Sequence, residues 1–162
     1  MVVDHSNLTG RLGEKGIDYA HFLGLLGSGR QVNKAVMVGS HPYPRSSSAR
    51  TWEEDARHSG WGTIAFHRYG GREQGVDEAI HAQISSIALD EGRRRLVLVT
   101  GDGNNNGGPP NTNFLDTIRK LLMKEVAVDL WSWRTACHHD YIRMADSGVH
   151  GFTLNYLDEL GL

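Results

Sequence analysis

The stretch "RRRLVLVTGDG", residues 93–103, decides how the rest of the chain reads. It holds the clearest strand of the sequence, Leu96 to Thr100, which runs straight into a glycine turn. Downstream, Phe114, Leu115, Ile118, Leu121 and Leu122 recur at helical spacing and predict an amphipathic helix. "VAVDLWSW" then reads as a strand, "HHDYIRMA" as a short helix and "GFTLNYL" as a last strand. Upstream, Val76, Ala79, Ile80, Ile84, Ile87 and Ala88 give a long helix over Val76 to Leu89 one apolar face. "GTIAFHRY" is a strand before it, "SARTWEEDARHSGW" a polar helix, and "AVMV", Ala35 to Val38, a buried strand closed by the turn-rich "GSHPYP". A helix spans Ile17 to Leu26 and ends at Gly27 and Gly29, and Met1 to Val3 form the first strand, with Gly10, Gly13 and Gly16 marking a loop between. Strands and helices alternate throughout, which predicts a three-layer α/β/α sandwich around a mainly parallel sheet.

The 162 residues fit a single domain, 1–162, with room for a core. An apolar fraction of 39% and a charged fraction of 22% belong to a globular chain. A net charge of -2 disfavours nucleic-acid binding by bulk charge and leaves room for a local basic groove. No apolar run reaches the about 20 residues needed to span a bilayer, so no membrane partner is expected. The lone Cys137 cannot form an internal disulfide, and no signal-peptide pattern opens the chain, so an intracellular site, cytoplasm or nucleus, is expected.

In open parallel sheets, ligands bind beyond the carboxyl ends of the strands. Asp4 and Asn7 follow the first strand, Arg68 and Arg72 the third, Asp102 and Asn104 the "LVLVT" strand, and Arg134 the next. Asp77 opens the long helix, where the exposed amides favour a carboxylate. Asp4, Asp77 and Asp102 are thus predicted to converge on one sheet edge. Converging carboxylates repel unless a cation lies between them, and all-oxygen donors suit Mg2+ or Mn2+. The same residues also read as a strand-to-helix cap, a helix-start charge and a tight turn, and spacing alone leaves both readings open.

"VVDHSN", residues 2–7, followed by "EQGVDEAI" and "LVLVTGDGN", resembles the NYN family of PIN-like metal-dependent ribonucleases. "VDLWSWR", "YIRMAD" and "FTLNYLDEL" are similar to the closing part of that family, particularly its eukaryotic branch. The resemblance spans essentially the whole chain and implies a PIN-like, Rossmannoid fold. It implies Asp4, Asp77 and Asp102 as acidic metal-binding residues and Asn7 as the active-site asparagine. Many family members carry a second aspartate where this chain has Asn104, so one metal ligand is expected to be neutral here.

The resulting expectation is an endoribonuclease that hydrolyses phosphodiester bonds of single-stranded RNA with Mg2+ or Mn2+. Arg68, Arg72, Arg134 and Asn104 would hold the substrate. Two alternatives stand beside it: an RNA-binding or scaffold module of the same fold with weak turnover, and a phosphohydrolase acting on small phosphorylated molecules. Arg93 to Arg95 should lie at the sheet edge opposite the site. Trp131 and Trp133 are expected to pack in the core. "CHHD", Cys137 to Asp140, lacks the ligand spacing of a four-ligand zinc site, and "LGSGR" is too short for a phosphate-binding loop.

Overall fold

The computed structural model describes residues 1–12, 16–42, 51–68, 75–87, 94–101 and 114–162. It is a mixed α/β sandwich in which six helices and six strands are described, and the strands pair in parallel. The chain divides into two compact units, Met1–Ile80 with Leu162, and His81–Gly161.

In the first unit the strands β1 (Val2–Asp4), β2 (Val36–Pro42) and β3 (Gly62–Arg68) lie in the order β3-β2-β1. Val2, Val3, Val36, Met37 and Val38 are buried. The pairing runs from Val2 opposite Val36 to Asp4 opposite Val38, and from Val36 opposite Gly62 to Pro42 opposite Arg68. Strand β2 therefore runs four residues past the end of β1. The expected turn at "GSHPYP" begins later than its Gly and Pro suggest, because Gly39 to Pro42 find ladder partners on β3.

Helix α1 (His5–Leu12) occupies the segment expected to be a loop. Its polar sequence carries no apolar stripe, but Leu8 is fully buried and Asp4 caps its start. Helix α2 (Tyr19–Gly27) is capped by Asp18, whose carboxylate accepts from the His21 amide at 2.9 Å. Helix α3 (Trp52–His58) packs on β3. Helix α4 (Val76–Ile87) starts where the sequence places it, with Asp77 and Glu78 in its first turn.

In the second unit β4 (Arg95–Val99), β5 (Ala127–Ser132) and β6 (Phe152–Tyr156) lie in the order β4-β5-β6. Helix α5 (Phe114–Met123) packs on β5, and α6 (His139–Asp146) on β6. Leu96, Leu98, Val99, Ile118, Val128 and Leu130 form the core of this unit. A last 3-10 turn, Leu157–Glu159, follows β6.

Candidate functional site

Strand β1 stops at Asp4, a buried residue only 5% exposed. One carboxylate oxygen accepts from the backbone amides of Ser6 at 3.0 Å and Asn7 at 3.4 Å, and the other from Asn7 Nδ2 at 2.5 Å. Ser6 and Asn7 are the second and third residues of α1, so Asp4 is its N-cap. The amide donors and the helix start complement its oxygens as a cap. The cap and the candidate site wall are therefore the same residues.

The faces of the sheet follow from the register. Asp4, Val38, Ser40, Phe66 and Arg68 share one face, because paired residues point the same way and alternate along a strand. On that face Arg68 Nε donates to Ser40 Oγ at 2.6 Å, and Nη2 reaches Ser6 Oγ at 3.5 Å. Ser6 is the residue whose amide donates to Asp4, so guanidinium and carboxylate are both tied to the first turn of α1. Gly75 lies against the same face, since a Cβ there would sit 2.8 Å from the Phe66 ring. Its φ of +86° is a second reason for glycine. Gly75 directly precedes α4, so the helix whose first turn carries Asp77 starts beside Phe66.

No protein-family model, curated protein or solved structure matches the chain. The chemistry open to the site therefore rests on its own residues.

Asp4 ends β1 at this edge, and Asp77 lies in the first turn of α4. Hydrogen bonds onto a metal-ligating carboxylate orient it, so the Asn7 amide and the capping amides fit such a role. Asp102, Asn104 and Arg72 lie outside the described residues. Arg134 is described and belongs to the second unit, just after β5. There its Nη2 pairs with Glu159 at 2.5 Å, its guanidinium lies 4.0 Å over the Tyr156 ring, and its backbone amide donates to Asp158. These contacts pin the turn after β5 to the chain after β6. At the start of β4, Arg95 pairs with the buried Asp129 at 2.6 Å, which gives that arginine a structural partner. Trp133 is buried and Trp131 half-buried. Burial pushes the Cys137 thiol up, away from the thiolate a nucleophile needs.

The opposite face of the same three strands holds a cluster that sequence reasoning missed. The buried His5 bonds through Nε2 to the Tyr19 hydroxyl at 2.9 Å and stacks on Trp52 at 4.1 Å. The buried His41 pairs with Glu53 at 3.0 Å, with Trp52 and His67 as ring neighbours at 5.9 Å. Gly39 makes room, since a Cβ there would meet His5 Cβ at 2.8 Å. Burial, helped by the nearby Asp55 charge, pushes the Tyr19 phenol up to about 12, so it keeps its proton and can donate to His5. The only signal for this cluster was the alternation of Gly39, Ser40 and His41, hidden by glycine and proline. His5 thus turns to one face and Ser6 to the other, which seats the start of α1 firmly across the carboxyl edge.

Proposed function

We propose that the chain is a metal-dependent endoribonuclease acting on single-stranded RNA. One observation carries the reading: Asn7 donates to Asp4, and Ser6 links Asp4 to Arg68, which Ser40 also holds, at the carboxyl ends of parallel strands. That edge is where open parallel sheets bind ligands. A buried carboxylate there suits a hard cation, and a guanidinium suits a phosphate. The resemblance to NYN ribonucleases supports the same assignment and adds Asp77 and Asp102.

Asp4 and Asp77 would hold Mg2+ or Mn2+, which when bound would supply positive charge at the phosphodiester and acidify a water. Asn7 fixes the Asp4 carboxylate through its amide nitrogen and orients water or phosphate. Arg68, held by Ser40, presents its planar donors to non-bridging phosphate oxygens and sets the register of the strand. A single strand suits the site, because its phosphates and bases can follow a sheet edge that a duplex cannot enter.

The test is cleavage of a labelled single-stranded RNA with Mg2+ or Mn2+, against the same reaction with chelator and with Asp77→Asn. Mononucleotides and sugar phosphates run in parallel. Metal-dependent RNA cleavage that Asp77→Asn abolishes is expected. Turnover of the small phosphates alone would shift the reading to a phosphohydrolase. Metal-dependent RNA binding without cleavage would shift it to a scaffold.

A further inference from the structure

The segment "CHHD" lacks the spacing of a closed zinc site, yet the fold gathers its last three residues. His138 is the N-cap of α6, with extended backbone at φ −65° and ψ 136°, and His139 and Asp140 are the first two helical residues. This reversal at the helix start folds three sequence neighbours around one point. His138 Nδ1 lies 3.6 Å from one Asp140 oxygen, and His139 Nε2 lies 3.4 Å from the other. One donor atom from each residue lies within 4.8 Å of the other two, a grouping found nowhere else among the described residues. A tetrahedral ion with bonds of about 2.0–2.1 Å separates its ligands by about 3.3 Å. Each imidazole–carboxylate contact is within a few tenths of an ångström of that spacing. Because the two end on different Asp140 oxygens, a small turn of the carboxylate would offer one oxygen to a shared ion.

We propose that His138, His139 and Asp140 form a surface site for a borderline divalent cation of the zinc class. Two imidazoles and one carboxylate match zinc, nickel or copper better than magnesium. Three protein donors leave positions open for water or an outside ligand. Two present contacts compete with the ion. Arg143 Nη2 pairs with Asp140 at 2.8 Å, and the Asp140 amide donates to His138 Nδ1 at 3.3 Å. The Arg143 side chain is 69% exposed, so it can release the carboxylate into water at little cost. Arg143 therefore sets the affinity of the site without lining it. Cys137 takes no part, since its Sγ is directed at the His138 carbonyl at 3.7 Å. The residues and the metal chemistry differ from those of the ribonuclease reading, and neither depends on the other.

Zinc titration of the full chain, by competition with a chromophoric chelator and with magnesium as control, tests the site. His139 and Arg143 are exposed, so their replacement should leave the thermal melt unchanged. One zinc equivalent is expected, with His139→Ala and Asp140→Asn each weakening binding at least about tenfold. Arg143→Ala should tighten it by removing the competitor. Zinc should also shift the ring NMR signals of His138 and His139 together. No binding at millimolar zinc, or an affinity unmoved by His139→Ala, would overturn the proposal. In the second case zinc would sit on others of the nine histidines.

Discussion

Replacing Asp4 separates two roles that one carboxylate carries. As N-cap it accepts the Ser6 and Asn7 amides, and as a charged group it would hold the cation. Asp4→Ala removes both. Loss of the cap costs about 1 kcal/mol. The half-buried Asn7 amide loses its Asp4 acceptor, which adds about 1 kcal/mol more. Asp4→Asn keeps a carbonyl oxygen for the capping amides, and Asn7 can turn its own oxygen toward the new amide, so the expected loss is below about 0.5 kcal/mol. If carboxylate repulsion dominated the metal-free site, removing the charge would stabilise the fold. The donors on Asp4 argue that it does not. Urea denaturation without divalent metal should therefore rank the natural chain just above Asp4→Asn, with Asp4→Ala lower by about 2 kcal/mol. Both variants should lose RNA cleavage. An Asp4→Ala protein as stable as its parent would refute the cap, and an Asp4→Asn protein with parental cleavage would refute the role of the charge.

Arg68→Ala should weaken RNA binding similarly across sequences and lower the slope of log affinity against log salt by about 0.7, and an unchanged slope would take Arg68 off the phosphate path. Gly75→Ala places a methyl 2.8 Å from the Phe66 ring at a φ of +86°. It should cost at least about 2 kcal/mol in urea denaturation and slow cleavage by displacing the first turn of α4, whereas a neutral effect would show that Asp77 is positioned by something else. Tyr19 has a phenol raised from 10.0 to about 12, so its contribution is fully present below pH 10 and is lost as pH rises through 12. The decline should be on the order of 2 kcal/mol and absent from Tyr19→Phe, and parallel declines in the two proteins would exclude Tyr19 as the cause.

The alternation of elements was legible because strands such as Leu96 to Val99 and helices such as Phe114–Met123 carry their own periodicity. The places of Asp4 at a strand end and of Asp77 at a helix start were also legible in the sequence. Helix α1 was not, because "HSNLTGRL" has no apolar stripe and forms only once Asp4 caps it and Leu8 finds the core. The end of β2 was hidden for a related reason: local breakers argued for a turn, and pairing with β3 overrode them. The stack of His5 on Trp52 and the His41–Glu53 pair join residues far apart in sequence, and the alternation around His41 alone could not reveal its partners. Asp140 and its two histidines show the converse, since their adjacency in sequence argued against a site that the helix start assembles.

The most direct test of the proposed metal site is a crystal soaked in manganese with anomalous scattering measured. The expected result is an anomalous peak bonded to the carboxylates of Asp4 and Asp77, lost in a crystal of Asp77→Asn. A peak elsewhere, with none between those two carboxylates at saturating manganese, would contradict the proposed site.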